Sequence, residues 1–321
     1  MRPDVSVVTV SHNVRDLVAA CLGSVEAEIR RSSYVVEALL CDSASRDGTA
    51  EHVAGAFPWA RVLPSPRNLG FTGGNNRALR VARGRHVLLL NPDTEVRPGA
   101  IDALAAYLDA HPDVAAVGPR LLWPDGSTQP SRRRFPGRLT GFVESTVLQR
   151  WLADAAPLRR YYMADLPDDR EHDVDWLVGA AIMLRAEALR AVGLFDERYF
   201  MYSEEVDLCR RIKAAGWRIV YLPTATVVHH EGKSSQQNPT QRDLRFHESR
   251  FLYYAKHHGQ RWALLLRLAT LGHFAFLIAE EAAKWLLRPS TRRLRERRIR
   301  SHRHVVAEQS RRLLRAALGR A

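Results

Sequence analysis

Three short stretches carry residue types that could do chemistry. In Asn91-Pro92-Asp93-Thr94-Glu95, two carboxylates stand two residues apart just after the apolar run His86 to Leu90. Carboxylate oxygens suit a hard cation, and a cation held there would neutralise a diphosphate. The same Asn-Pro-Asp also reads as a turn leading into a helix that begins near Pro98. In Ser203-Glu204-Glu205-Val206-Asp207-Leu208, three carboxylates fall in the first turn of a helix that Ser203 is placed to cap. Acidic residues gather at helix starts for dipole reasons alone, but that does not account for a triplet directly behind the aromatic cluster Tyr199-Phe200-Met201-Tyr202. Finally, His229-His230-Glu231 closes an apolar run, as either a structural or a ligating pair of imidazoles.

These stretches need a scaffold. His86 to Leu90 is short, apolar and bounded by Gly84 and Pro92, as expected of a strand buried on both faces of a parallel sheet. Such sheets bind ligands beyond the carboxyl ends of their strands. Val5 to Val10 is a β-branched first strand with Ser11-His12-Asn13 as its exit loop, followed by a helix from Val14 to about Ile29. Tyr34 to Cys41 is a second strand that runs into the polar turn Asp42 to Thr49, and Arg61 to Leu63 is a short third. Asn68 to Asn76 reads as a glycine-bearing loop. After the central strand come a helix from Pro98 to Ala110 and a strand from Val114 to Gly118. Ser131 to about Asp173 is an aromatic and basic insertion, suited to a lid or an acceptor-binding surface. Val174 to Arg185 returns to core, and Arg218 to Leu222 and Thr226 to Val228 read as two further strands. Repeated βα units predict an α/β fold: a doubly wound, mostly parallel sheet flanked by helices.

Residues 240–321 hold 19 of the 48 Lys and Arg but 6 of the 35 Asp and Glu, leaving 29 against 29 elsewhere. The formal charge of +13 therefore belongs to a basic helical C-terminal extension on a neutral body. Two domains are expected, 1–239 and 240–321. Cys21, Cys41 and Cys209 form no disulfide framework and no metal-type pair, which suits a reducing, cytoplasmic compartment. The opening apolar run is too brief for the core of a signal peptide.

Taken in order, the motifs resemble those of the inverting family 2 glycosyltransferases of GT-A fold, especially bacterial rhamnosyltransferase-like members, over roughly Val5 to Ser235. Ser11-His12-Asn13 resembles the family's first nucleotide-contacting loop, and Cys41 to Thr49, with Asp42 and Ser43, its base-binding turn. Leu69 to Asn76, with Gly70, Gly73 and Gly74, resembles its glycine-rich segment near the donor. Asn91-Pro92-Asp93 sits at the metal-binding position, Glu204-Glu205-Val206-Asp207 at the acidic catalytic motif, and His229 at the late metal-ligand histidine. Asn91 stands where that family often has an aspartate, and His12 where it often has a tyrosine.

The resemblance implies transfer of a sugar, with rhamnose the leading expectation, from a dTDP- or UDP-linked donor to a glycan or lipid-linked saccharide of the cell envelope. Asp93 and His229 would hold Mg²⁺ or Mn²⁺. Glu205 would take the acceptor proton, with Glu204 and Asp207 as alternatives. Asp42 would accept from the N3–H of a uracil or thymine, and the glycines would let the backbone approach the donor.

In the extension, the helix between Trp262 and Leu287 has a polar stripe and a broad apolar face containing Phe274 and Trp285. With the arginines from Arg292 to Arg300, this face is expected to dock on the catalytic domain or to lie at an anionic membrane, at the inner face of the cell membrane. Competing readings are a nucleotidyltransferase on a similar sheet and a nucleic-acid-binding protein using the Arg-rich tail. The first lacks a basic triphosphate signature at Ser11-His12-Asn13, and the second lacks a reader motif, so no nucleic acid is expected.

Overall fold

The computed structural model describes residues 2–144, 146–231 and 239–317. In chain order its elements begin with β1 (Val5–Ser11), α1 (Arg15–Ile29), β2 (Val36–Ser43), α2 (Thr49–Ala56), β3 (Ala60–Ser65), α3 (Gly70–Leu79), β4 (His86–Leu90), β5 (Thr94–Val96), α4 (Ala100–Ala110) and β6 (Val114–Leu122). They continue with β7 (Thr128–Gln129), β8 (Arg132–Arg133), α5 (Thr140–Val143), α6 (Gln149–Leu152), α7 (Ala156–Tyr161), β9 (His172–Asp173), β10 (Trp176–Leu177), β11 (Ala181–Arg185), α8 (Ala186–Val192), α9 (Glu204–Ala214) and β12 (Arg218–His229). Three long helices follow: α10 (Pro239–His257), α11 (Gln260–Leu287) and α12 (Arg292–Ala317). These form two compact units, Met1–Phe135 with Arg160–Ser234, and Pro136–Arg159 with Ser235–Ala321. The stretch 136–159, read from sequence as part of a lid or acceptor surface, thus groups with the C-terminal helices.

In the first unit, ten strands among the described residues form one sheet, whose main path runs β3-β2-β1-β4-β11-β6-β12-β5. β3, β2, β1 and β4 are parallel neighbours, as are β6 and β12. β11 runs antiparallel between β4 and β6. The central run is β4, all five residues of which are buried, as a strand covered on both faces requires. Where two late strands were expected, a single β12 runs through, with its register slipping between Leu222 and Thr226. The bulge falls at Pro223, which cannot donate to a ladder.

The expected loop from Asn68 to Asn76 is instead mostly helical, because α3 starts at Gly70. Its glycines serve packing. A Cβ on Gly74 would lie 2.6 Å from Val10 Cγ1, so α3 seats directly on β1. A Cβ on Gly70, where φ is +69°, would lie 2.4 Å from the Phe200 carbonyl oxygen, which accepts the N–H of Phe71. Gly73 faces only Leu69 of its own turn. The space on the Cβ side of Gly70 and Gly74 is thus filled by protein. Gly74→Ala is expected to destabilise the chain by about 1–3 kcal/mol through overpacking, with Val10→Ala restoring part of it in a double-mutant cycle read by urea unfolding. Additive losses would show that the two positions do not touch.

In the second unit α10, α11 and α12 pack around Leu244, Phe274 and Val305, with Leu277 and Val306 against them. The rings of His247, His273 and His302 surround Phe274 at centroid distances of 5.4, 4.9 and 5.6 Å. Phe274 is therefore core of its own unit, which corrects the expectation that it docks on the catalytic domain or lies at a membrane. Arg250 donates to the carbonyls of Gly141 and Glu144, and the Tyr254 hydroxyl takes the Gly141 N–H, pinning 136–159 onto α10.

Burial pushes the His247 imidazole well below its ordinary pKa, with Arg250 and His273 adding to the effect. Burial also lowers His273, to about 4, helped by His302. The fold holds these rings neutral, whereas an unfolded chain takes up their protons below about pH 6.5, so this stability is present above that pH and lost as pH falls. Between pH 7.5 and 5.5, the loss of unfolding free energy is expected to be smaller by about 1 kcal/mol in His247→Phe than in wild type. Identical losses in urea titrations would mean that His247 is not held neutral.

Candidate active site

The carboxyl ends of β1, β2, β4 and β12 bring the candidate residues to one edge of the sheet, as expected for a parallel α/β architecture. The reversal of β11 is what joins them. Ala181 pairs with Leu90, so the turn before β11 meets the turn after β4, where the Asn91 N–H donates to the Ala180 carbonyl at 2.8 Å.

Beyond β4 the two carboxylates part company. Glu95 lies on β5 and accepts from His230 Nε2 at 2.7 Å, so it does not share a site with Asp93. Asp93 is 4% exposed, and its Oδ1 is buried without a hydrogen-bond partner, 3.4 Å from His229 Nε2. The pairing of β5 with β12, Thr94 opposite His229, sets this approach. His229 Nδ1–H donates to Gln129 Oε1 at 2.8 Å, while Gln129 Nε2 donates to Glu231 at 2.7 Å. A carboxylate only accepts, so Glu231 fixes the Gln129 amide, and the amide oxygen in turn fixes His229 as the Nδ1–H tautomer.

With Nδ1–H so engaged, Nε2 is the ring nitrogen that faces the Asp93 carboxylate. An unprotonated Nε2 and a carboxylate oxygen 3.4 Å apart suit adjacent positions around an octahedral divalent ion, whose ligands stand about 3 Å apart. The pair fits Mg²⁺ or Mn²⁺. Among the described residues no third His, Cys, Asp or Glu joins this pair as a metal-holding group. Asn91 adds a buried amide oxygen with no partner. Gln129 was missed in the sequence because only the antiparallel pairing of β7 with β6, Gln129 opposite Leu121, carries it here.

The acidic helix is α9. Ser203 precedes it but makes no side-chain cap; it and Tyr202 both lie in the left-handed region, at φ of 64° and 73°. Two successive non-glycine residues there are strained, a condition that concentrates at functional sites. Glu204 and Glu205 each keep one buried oxygen without a partner. Glu205 retains some accessible surface, and its side chain passes Gly179 closely: a Cβ added there would lie 3.7 Å from Glu205 Cγ, in van der Waals contact. Because Ala180 holds Asn91, this places Glu205 on the same rim as the turn after β4. Burial pushes the Glu205 carboxyl up to about 7, against the pull of backbone N–H groups including those of Val206 and Gly179. Burial raises Glu204 further, with the charge of Glu205 adding to it. The two adjacent carboxyls oppose each other's ionisation, while the N–H groups of Val206 and Gly179 favour the charged form of Glu205. Asp207 is fully buried and ion-paired with Arg211 at 3.0 Å; Arg211 also donates to the carbonyls of Val192, Gly193 and Leu194. Its carboxylate is committed to holding α9 in place.

The nucleotide-side candidates form a hydrogen-bonded lattice between loops. Ser11 Oγ donates to Asp42, which also accepts from the Ser45 hydroxyl and N–H. Three of roughly four acceptor positions on Asp42 are thus filled, leaving one for a base N–H. His12 Nδ1–H donates to the Ser43 carbonyl, and Asn13 Oδ1 accepts the Arg46 N–H. Ser43 Oγ accepts the Leu69 N–H and donates to Asn68. Asn13 and Ala44 hold positive φ in the turns so fixed. Ser11 and Ser43 are buried organisers of these turns, with 1% exposure each.

Residues 6–192 match the family described as Glycosyl transferase family 2. The N-acetylglucosaminyl-diphospho-decaprenol L-rhamnosyltransferase of Mycobacterium tuberculosis is 34% identical over 82% of this chain and 87% of its own length. The rhamnosyltransferase WbbL of Escherichia coli is 27% identical over 70% of this chain and 83% of its own. Among solved structures, a mannosyltransferase from Pyrobaculum calidifontis in complex with GDP-Man and Mn²⁺ superposes with a TM-score of 0.54 at 18% identity, over 96% of this chain and 88% of that one. At that identity the likeness speaks for the fold, a GT-A sheet with flanking helices. The family match and the mycobacterial relative agree: this chain is a glycosyltransferase and belongs to glycosyl transferase family 2.

Proposed function

We propose that the chain transfers a sugar, rhamnose first among candidates, from a dTDP- or UDP-linked donor to a lipid-linked saccharide of the cell envelope, with inversion at the anomeric carbon. The observation that carries this reading is the Asp93–His229 pair, two buried acceptors aimed at one point on the sheet edge where Glu205 also stands. The name of the mycobacterial relative, which specifies a diphospho-decaprenol acceptor and L-rhamnose, supports the substrate classes. The basic second unit supports a cytoplasmic position at the inner face of the membrane, on anionic lipid.

Asp42 offers its remaining lone pair to the N3–H of a pyrimidine, while the loop lattice keeps the nucleotide side rigid. Asp93 and His229 would hold Mg²⁺ or Mn²⁺, which supplies positive charge against the diphosphate leaving group. Glu205 accepts the proton of the acceptor hydroxyl as that oxygen attacks from the face opposite the diphosphate. Glu204, protonated, keeps a second negative charge away from the site, and Asp207 with Arg211 positions the helix that carries both.

Asp93→Ala and His229→Ala are expected to lose most turnover, with Asp93→Glu retaining more than Asp93→Ala. Gln129→Leu leaves His229 without its orienting acceptor and is expected to weaken Mn²⁺ binding about 10- to 100-fold, measured by calorimetry with nucleoside diphosphate present. Unchanged Mn²⁺ affinity in all of these variants would remove the metal assignment.

Glu205→Gln is expected to lower kcat by about 10²–10⁴ with donor KM little changed, whereas Glu204→Gln is mild. Since Glu205 works ionised and burial raises its pKa, kcat/KM should fall as pH drops through about 7 rather than in the usual carboxylate range. A rate held flat to pH 5 would rule Glu205 out. A dead Asp207→Asn beside an active Glu205→Gln would move the base to Asp207.

A further inference from the structure

α11 packs Ala263, Leu266 and Phe274 into its own unit, yet its other side is apolar as well. Its charged side chains face its neighbours: Glu281 receives Arg295 at 2.9 Å and Arg298 at 3.4 Å from α12, and Arg267 meets Glu248 of α10 at 3.5 Å. Glu280 pairs with Arg150 at 3.0 Å. On the opposite side Leu264, Leu265, Leu268, Phe276, Leu286 and Leu287 are each 43–79% exposed. The exposed positions between them are glycine or alanine. Wound at about 100° per residue, all fall within an arc of about 140°. Beside the stripe, Trp151 of α6 is 67% exposed and meets Phe276 edge-on at 6.4 Å, with Leu148 and Leu152 exposed on the same short helix. An outward apolar stripe running the length of a 28-residue helix is not a surface that water favours.

What covers it follows from charge. Residues 136–159 and 235–321 hold 22 Lys and Arg against 8 Asp and Glu, so a second copy docked through α11 would bring two strongly cationic units together. An anionic lipid surface is complementary to both properties. Arg261 marks one end of the stripe, and Arg288, Arg292 and Arg293 follow the other, where cationic groups reach headgroups. α11 is long and apolar enough to cross a bilayer. Spanning, however, would carry its charged inner side and the exposed arginines of the neighbouring α12 into hydrocarbon.

We infer that α11 lies in the plane of an anionic membrane, its leucine stripe and Trp151 in the headgroup–acyl boundary and the arginines of α12 among the headgroups. This rests on the membrane-side reading above and specifies the face and the mode of contact.

The test is flotation of the full chain with vesicles of phosphatidylcholine alone or mixed with phosphatidylglycerol, at low and high salt. Wild type should float with the mixed vesicles only, and high salt should release it. Leu268→Glu with Phe276→Glu should cut vesicle binding at least about tenfold, and Leu268→Ala with Phe276→Ala, which keeps the helix, should fall between. Arg292→Gln and Arg293→Gln should each weaken binding about fivefold at low salt. Nucleoside diphosphate binding by calorimetry, unchanged in all of these, shows that the variants are folded and reads the catalytic unit independently. If the glutamate variant floats like wild type, this face is wrong while membrane attachment stands. If wild type floats with neither vesicle, the membrane reading fails as well. A wild-type dimer in sedimentation that the glutamate variant abolishes would assign the stripe to a second copy. Retention on vesicles after alkaline carbonate washing would mean spanning and overturn the in-plane geometry.

Discussion

The geometry of the catalytic unit turns on β11, a strand running backwards between β4 and β6, whose own direction is shared. A parallel sheet presents only strand carboxyl ends at its ligand edge. By inserting one antiparallel strand between β4 and β6, the fold brings an amino end, Gly179-Ala180, to that same edge. Ala180 holds the backbone of Asn91, and Gly179 leaves room for Glu205. Two acidic sites more than a hundred residues apart in sequence become neighbours because one short strand has the opposite sense. Replacing it with a parallel strand would leave the ladder satisfied but would send its loop to the wrong end.

A second constraint is electrostatic. Asp93 and His229 are held close by backbone pairing, and the tautomer of His229 is dictated through Gln129 by Glu231. The protein thus maintains an unsatisfied arrangement of lone pairs, and keeps another at Glu204 and Glu205. Buried acceptors without donors oppose folding. The strained Tyr202-Ser203 step lies beside them, so destabilising features collect at one edge while the apolar sheet core and the loop lattice around Asp42 carry the stability.

Much of this was legible in the sequence because polar residues punctuate apolar runs. Asp93, Glu205 and His229 each stand just past the end of a run or at a helix start, and the succession of strands and helices along the first half of the chain followed from βα alternation. Three things were not legible, for separate reasons. Gln129 matters only through a two-residue strand whose register no local pattern announces. Glycine content suggested a loop at Gly70–Gly74, whereas close helix–strand packing demanded small residues there and overrode propensity. For α11, periodicity separates two faces but is blind to which one turns inward. Which apolar positions turn inward shows only where the rings around Phe274 and ion pairs such as Glu281–Arg295 mark the neighbours.

The second unit is discontinuous: the chain lays down 136–159, returns to complete the sheet with β11 and β12, and only then supplies α10 to α12. Its two parts are tied by Arg250 and Tyr254 to the backbone around Gly141. The helical unit is therefore not a tail in the genetic sense. A stop codon after the last strand would leave 136–159 without the α10 side chains that hold its backbone. A substitution at Gly141 therefore reaches the C-terminal helices, and one at Arg250 or Tyr254 reaches back into the internal segment.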